Sequence, residues 1–449
     1  MGSLFGTDGI RGIANQYPIV PEMAMNVGRA AAASLRENSR ARILIGKDPR
    51  LSGDMIAHAL AAGISSAGGD ATLGGVLPTP AVAYLTRSLG FDAGIVISAS
   101  HNPYYDNGIK LFDRNGFKLS MAVEEGIETA ILSGPDKHGA ALYDEIGHIR
   151  NENGLQAKYV DFLTHSGLMH TDLSGINVVL DCSNGATYQA APLVFSRLGA
   201  RVTTLFDAPD GININENCGS QHVEALQGKV VDSGADIGLA FDGDGDRLIA
   251  VDEKGDAVTG DKILAICAGQ MKKAGKLANN LVVSTVMSNV GLKNFLKERE
   301  IRHIVTDVGD RFVLAAMREN NGVIGGEDSG HMIFLDRHTS GDGILTGLRL
   351  IETMMEANQP LSELSNTMRV YPQVLKNVPI KEKTDIMKIP EIEAVIKDVE
   401  GRLSGNGRVL VRYSGTQPLC RVMVEGPDRE TTERCCSEIV DVIQRQIGT

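Results

Sequence analysis

The chain has 449 residues, 43% of them hydrophobic, enough to bury the cores of about two to four domains. Its formal net charge of -12 excludes a broadly basic surface of the kind that holds nucleic acid, yet permits a local basic pocket around a phosphorylated small molecule. The cysteines Cys182, Cys218, Cys267, Cys420, Cys435 and Cys436 show no zinc-ligand spacing. No apolar run reaches bilayer length and the first residues lack a signal-peptide apolar region, so a cytoplasmic protein with reduced thiols is expected.

Phe5 to Gly12 is a glycine-rich loop in which Arg11 offers a fixed donor fork to an anion; read alone, it is also an ordinary N-terminal turn. Pro21 to Arg36 is predicted helical. Arg42 to Gly46 is a strand, the loop Lys47 to Ser52 follows, and Ser52 or Asp54 is expected to cap a helix through Ala67. The apolar run Ala93 to Ile97 reads as a buried strand that delivers Ser98-Ala99-Ser100-His101-Asn102-Pro103. Ligands of open α/β sheets bind outside the carboxyl ends of strands, so this loop is a candidate nucleophile loop as well as a polar turn. Lys110, on the next segment Asn107 to Phe112, is a candidate to point back toward the same cleft, with an ordinary solvated lysine as the alternative. A polar, helical stretch is predicted from Met121 to Leu163.

A second unit starts with the strand Ile176 to Asp181, a Ser183-Asn184-Gly185 turn and a helix from Tyr188 to Leu198. The strand Asp236 to Phe241 then delivers Asp242-Gly243-Asp244-Gly245-Asp246-Arg247 ahead of another strand, Leu248 to Asp252. Three alternating aspartates make an oxygen-rich site for a hard cation. The spacing also fits a calcium-binding EF-hand through Glu253, but Arg247 occupies the obligatory glycine position and strands flank the loop where helices are required. A Mg²⁺ site completed by a phosphate oxygen is the better reading, with metal-free Asp-Gly turns as the alternative.

A third unit begins near Thr259, with helices Asp261 to Lys273 and Gly291 to Arg299 and strands Leu281 to Val286 and Arg302 to Asp307. Gly322 to Gly325 leads into Gly326-Glu327-Asp328-Ser329-Gly330-His331. Glu327 is suited to accept two sugar hydroxyls, and His331 is a candidate general acid or base as well as a candidate structural histidine. Thr339 to Gly343 caps a helix running to Glu356. The three units share one pattern, a strand ending in a polar loop, as a degenerate repeat would. Glu356 to Pro360 marks the change to a smaller last domain, so the expected domains are 1–155, 156–254, 255–366 and 367–449. In the last, Arg412-Tyr413-Ser414-Gly415-Thr416-Gln417-Pro418 ends a strand with the hydroxyls, backbone N–H groups and guanidinium of a phosphate cradle; the alternative is a polar hairpin tip with Arg412 and Arg421 as surface charges.

TDGIRG, SASHNP, DGDGDR, GEDSGH and RYSGTQP occur in this order. Over essentially its whole length the chain resembles the α-D-phosphohexomutase superfamily, and within it the bacterial phosphoglucosamine mutases through FGTDGIRG, SASHNP and VGDRFV. The resemblance implies an α/β protein: three similar α/β domains with mixed sheets and a smaller C-terminal α+β domain around a central cleft. It implies Ser100 as a phosphoserine that also ligates Mg²⁺ with Asp242, Asp244 and Asp246, and Arg247 near that phosphate. Arg11, Lys110 and His331 would stabilise charge or move protons, and Glu327 and Ser329 would face sugar hydroxyls. Arg412, Ser414, Gly415 and Thr416, with Arg421, would hold the phosphate that is not transferred.

Two places depart from the family pattern. Tyr413 and Gln417 stand where Pro and Glu are usual, and Asp328 stands where these mutases have Gln; a carboxylate there is expected to attract a protonated 2-amino group. The implied reaction interconverts glucosamine 6-phosphate and glucosamine 1-phosphate through glucosamine 1,6-bisphosphate, feeding UDP-N-acetylglucosamine synthesis. Phosphomannomutase or phosphoglucomutase activity, a metal-dependent sugar-phosphate phosphatase and a sugar-phosphate sensor are the alternatives. The partner is a small sugar phosphate, with no nucleic acid or membrane; a homodimer is a candidate assembly.

Overall fold

The structure is a computed structural model that describes the chain except residues 1–3, 7, 36–39, 134–139, 166–171, 404, 406 and 414–417. Three of its sheets follow one plan. In the first, the strand Arg42–Lys47 lies between parallel Asp70–Val76 and Ala93–Ile97, and Asp106–Asp113 returns antiparallel against Ala93–Ile97. In the second, Asn177–Asp181 lies between parallel Arg201–Leu205 and Ile237–Phe241, and Leu248–Asp252 returns against Ile237–Phe241. In the third, Leu281–Thr285 lies between parallel Arg302–Thr306 and Ile324–Gly326, and Met332–Phe334 returns against Ile324–Gly326. The last two strands of each motif are antiparallel neighbours, so a short loop joins them, and it leaves the carboxyl end of a parallel strand. The three loops contain Ser100, the three aspartates and His331.

The inner strands are largely apolar because helices cover both faces, with polar residues confined to their ends. Ala93–Ile97, Ile237–Phe241 and Leu281–Thr285 are buried at every residue. The first sheet gains Ile10–Ile13 against Asp106–Asp113, which brings the Arg11 loop beside Lys110. All three sheets lie in one compact unit, residues 1–286 with 302–365.

The second compact unit comprises residues 287–301 and 366–449. Its sheet is antiparallel, with Leu419–Glu425 between Gln373–Pro379 and Arg408–Tyr413. Helices Pro390–Leu403 and Arg429–Ile447 share a core with it through Ile392, Val399, Val422, Cys436 and Ile439. The helix Val290–Glu298 belongs to this unit: buried Glu425 accepts from Val290 N at 3.1 Å and from Arg408 Nε at 2.6 Å. The six cysteines are free and buried, and no described helix is long and apolar enough to cross a membrane.

Two local expectations are corrected. Met121 to Leu163 is not one helical stretch: helices Met121–Leu132 and Leu155–His165 are separated by a strand, Ile149–Asn151. That strand is exposed at every residue and adds to the sheet edge by backbone pairing with Asp70–Val76, so no apolar alternation marks it. Ser52 occupies the N-cap position of helix Gly53–Ser66 but makes no side-chain cap; its Oγ accepts from Asn107 Nδ2 at 2.8 Å, and Asp54 pairs with Lys47.

Asp342 does cap its helix, Gly343–Ala357, by accepting from Leu345 N at 2.9 Å, and it also accepts from Tyr159 Oη at 2.8 Å. Burial pushes its carboxyl up from 3.8 to about 6. Between these values the folded protein keeps a proton that the unfolded chain releases, so this group makes stability fall as pH rises through the window. Asp342→Asn keeps the oxygen that accepts from Leu345 N, sets an amide NH₂ that can donate to Tyr159 Oη in place of the other, and removes the titration. Urea unfolding at about pH 4 and about pH 7 is expected to show the variant gaining stability relative to the wild type at the higher pH.

Candidate active site

Ser100 is buried and adopts a left-handed backbone, φ 55°. Such a conformation is uncommon for a residue with a side chain and persists where surrounding contacts impose it. Its Oγ donates to Asp242 Oδ2 at 2.6 Å and lies 3.3 Å from His101 Nδ1. Burial, with Arg247 and Arg11 nearby, lowers the His101 imidazole to about 4, so the ring is neutral at physiological pH.

Asp242, Asp244 and Asp246 converge, with one carboxylate oxygen of each within 4.8 Å of the others, and all three are buried. Asp242 Oδ1 accepts from Arg247 N at 3.1 Å. Asp244 Oδ2 accepts from Thr79 Oγ1 at 2.7 Å and from Lys110 Nζ at 2.8 Å. Asp244 Oδ1 and Asp246 Oδ1 are enclosed and have no hydrogen-bond partner. Orphaned buried carboxylate oxygens are costly unless a cation takes them, and an all-oxygen set suits Mg²⁺. Burial and the two neighbouring aspartates push the Asp242 carboxyl well above the usual range. Burial alone would raise Asp244 too, but Lys110 holds it below that range.

Lys110 is the counter-charge of the site. Only 2% of its side chain is exposed, with Asp244 at 2.8 Å, Asp8 at 3.1 Å and Asp246 at 3.7 Å from Nζ. Burial would strip its proton, but these carboxylates outweigh burial and raise its pKa, so it stays charged. Asp8 also pairs with Arg11 and Lys118, and Lys118 pairs with Asp310. Burial would raise Asp8, and these three cations together hold it well below the usual carboxylate range.

A cavity of about 450 Å³ opens onto this network, lined by Asp8, Arg11, Lys118, Asp246, Arg247, Asp310, Glu327 and His331 among others. His331 is almost fully buried, and neither ring nitrogen has a hydrogen-bond partner; Nε2 lies 3.4 Å from Asp310 Oδ2. Glu327 Oε1 accepts from Gly309 N at 3.1 Å, which orients the carboxylate on the cavity wall. Ser329 is half-buried in the same turn.

Asp328 is engaged elsewhere: its Oδ1 accepts from Asp261 N at 3.2 Å and its carbonyl from Gly260 N at 3.0 Å. It therefore caps the amino end of helix Gly260–Lys273 and does not line the cavity, which removes the reason for assigning it to a sugar amine.

In the second unit Arg412 and Arg421 stand directly opposite on neighbouring strands. Burial and the Arg421 charge lower the Arg412 pKa, and Arg421 Nε and Tyr413 Oη are buried without a partner. Facing like charges repel unless an anion is held between them. Ser414, Gly415, Thr416 and Gln417 lie outside the described residues.

The sequence reading missed Asp8, Lys118 and Asp310 as members of the network. Asp8 sits in the same glycine-rich loop as Arg11, and that neighbourhood is a usable signal. Asp310 lies within VGDRFV, where the sequence reading gives it no role, and nothing in the sequence joins it to Lys118, 192 residues away.

The buried cation is expected to hold the carboxylates together energetically. Lys110→Met leaves Asp8, Asp244 and Asp246 without it, and breaking a buried pair from one side costs about 3–5 kcal/mol. Chemical denaturation in chelator is expected to show a loss of that order, and a loss below about 1 kcal/mol would mean the charges are balanced elsewhere.

Models of the phosphoglucomutase/phosphomannomutase family match four successive stretches: alpha/beta/alpha domain I at residues 2–137, domain II at 157–255, domain III at 259–371 and the C-terminal domain at 375–442. The phosphoglucosamine mutase of Syntrophus aciditrophicus is 55% identical, and that of Syntrophobacter fumaroxidans 53% identical, each over 100% of both chains. Among solved structures, a phosphoglucomutase/phosphomannomutase family protein of Burkholderia thailandensis superposes with a TM-score of 0.81 at 23% identity, covering 100% of this chain and 99% of that one. The Aspergillus fumigatus N-acetylphosphoglucosamine mutase, solved with GlcNAc-6P and magnesium, superposes at 0.69 with 17% identity, covering 99% and 96%. The two superpositions show the shared fold of three similar α/β domains and a smaller C-terminal domain, and the end-to-end identity to curated relatives goes further: the chain belongs to the phosphohexomutase family, among its phosphoglucosamine mutase isomerases.

Proposed function

We propose that the chain interconverts glucosamine 6-phosphate and glucosamine 1-phosphate by way of phosphorylated Ser100 and a 1,6-bisphosphate. The observation that carries this is the Ser100 hydroxyl 2.6 Å from Asp242, at the edge of a buried carboxylate triad with two unpartnered oxygens. Asp242, Asp244, Asp246 and a phosphate oxygen on Ser100 would hold Mg²⁺, which when bound neutralises charge on the phosphoryl group. Lys110, buried where water does not screen it, and Arg247, on the cavity wall, add fixed positive charge beside the same point.

A free sugar hydroxyl attacks the phosphorus, the bond from phosphorus to Ser100 Oγ breaks, and His331 passes the hydroxyl proton to the departing Ser100 oxygen. Its unpartnered ring nitrogens on the cavity wall support that role. Glu327, on the same wall, accepts sugar hydroxyls, with Ser329 beside it. Arg11 stabilises charge as the bisphosphate forms. The bisphosphate then turns end for end and returns its other phosphoryl group to Ser100. The facing Arg412 and Arg421, with Ser414, Gly415 and Thr416, take the phosphate not being transferred. Six free thiols support a reducing cytoplasmic setting, in which the product feeds UDP-N-acetylglucosamine synthesis.

Coupled assays with glucosamine, glucose and mannose phosphates test the substrate, and peptide mass spectrometry after incubation with a hexose 1,6-bisphosphate tests the carrier. Glucosamine phosphate is expected to give the highest kcat/KM and Ser100 the only phosphate. Higher kcat/KM for glucose or mannose phosphate would overturn the substrate, and phosphate on Ser98 with an active Ser100→Ala variant would overturn the carrier.

Arg412→Ala tests the distal phosphate. A charge-assisted, bidentate contact of about 1.5–3 kcal/mol is lost, so kcat/KM is expected to fall about ten- to a hundred-fold with either isomer as substrate. Melting temperature is expected to change little, because the side chain is only partly buried.

A further inference from the structure

Ser100 holds its left-handed conformation with its hydroxyl bonded to Asp242 and its carbonyl bonded to other residues. Two residues from distant parts of the chain grip that carbonyl. Arg50 Nη2 donates to Ser100 O at 3.0 Å and to Asn102 O at 2.8 Å. Asn215 Nδ2 donates to the same two oxygens, at 3.0 Å each. Arg50 also donates from Nη1 to Pro103 O and Asp106 O, so one guanidinium serves four carbonyls of the loop.

Arg50 is itself fixed. It is 1% exposed and donates from Nε to Asp48 Oδ2 at 2.8 Å, a pair buried on both sides. Asp48 Oδ2 also accepts from Ser98 Oγ at 2.6 Å, and Ser98 Oγ accepts from Ser100 N at 2.9 Å. Both backbone polar groups of Ser100 are thus tied, directly or through Ser98, to one buried ion pair.

The second sheet's loop closes on the same atom. A Cβ on Gly243 would lie 2.6 Å from Ser100 O and 2.8 Å from Asn215 Nδ2, so only glycine lets the aspartate loop come this near. Gly243 stands between Asp242 and Asp244. The Ser100 carbonyl is therefore the point at which the serine loop and the carboxylate triad are set in register.

We infer that Arg50, Asp48 and Asn215 are positioning residues: they act through the backbone of the serine loop, holding Ser100 in its left-handed state so that its oxygen meets Asp242. This role rests on Ser100 being the phosphoryl carrier. A misplacement of the order of an ångström is enough to slow a transfer about a hundred-fold without altering substrate binding. Arg50→Lys keeps the charge for Asp48 but loses the fork. Asn215→Gly removes only the second donor, at a position whose φ of 59° glycine accepts, and guards against an Arg50 variant that fails to fold.

The test is single-turnover transfer. Wild type and both variants are phosphorylated with a hexose 1,6-bisphosphate, freed of it, and mixed with glucosamine 6-phosphate in Mg²⁺. The amplitude counts phosphorylated molecules and the rate constant reports their geometry, so partial unfolding lowers the first and not the second. We expect rate constants lower about a hundred-fold for Arg50→Lys and about ten-fold for Asn215→Gly, with the steady-state KM changed less than about three-fold. Wild-type rate constants in folded variants, or losses confined to amplitude, would overturn the positioning role. An Arg50→Lys protein that does not fold leaves the decision to Asn215→Gly, for which a wild-type rate constant overturns it. No transfer from Ser100 in the wild type would overturn the carrier assignment, and the positioning role with it.

Discussion

Three carboxylates brought together away from water repel one another and lose their hydration, and the architecture of this site follows from that cost. Asp242, Asp244 and Asp246 are each at most 4% exposed. Lys110 offsets part of the charge from within the protein, Thr79 and the Arg247 amide satisfy particular oxygens, and two oxygens are left for a cation. Lys110 and Thr79 come from the first sheet motif, and the aspartates come from the second. The electrostatic requirement of one loop therefore fastens two motifs together, and the fastening puts Ser100 against Asp242.

The repeated sheet plan explains how three separate loops reach this arrangement. Each motif turns an antiparallel strand back beside the last parallel strand, so a short loop forms at a carboxyl strand end each time. One loop carries Ser100, one carries Asp242, Asp244 and Asp246, and one carries Glu327 and His331. The same plan with different loop residues divides the chemistry among three motifs that need share little sequence.

The polar network around Asp8, Lys110, Lys118, Asp310 and His331 serves a different need. A phosphorylated substrate brings negative charge to a cavity already rich in carboxylates. Alternating cations and anions keep that cavity close to balanced, with Arg11 and Arg247 on its wall as further positive groups. In the second unit two arginines face each other across a pair of strands and repel, an arrangement that favours an anion for the opposite electrostatic reason.

The loops and most of their flanking strands were legible in the sequence. A five-residue apolar run such as Ala93 to Ile97 is a strand because it is buried on both faces, and Asp-Gly alternation after a second run marks converging oxygens. Local pattern left Lys110 open between the cleft and solvent, and folding buries it against Asp8, Asp244 and Asp246. Pattern failed where burial gave no rhythm, as in the exposed strand Ile149–Asn151, and where a polar residue had two plausible partners, as with Asp328, which takes the helix end at Asp261.

The Arg50 and Asn215 contacts lay beyond sequence altogether. Arg50 is one arginine in a polar loop until folding carries it to carbonyls 50 residues on, and Asn215 meets the same oxygens from 115 residues away. Side-chain type and spacing are fixed along the chain, so the sequence by itself determined which chemical groups each loop carries. Which of them share a buried volume depends on how strands from separate motifs pack, and only the tertiary structure decided that.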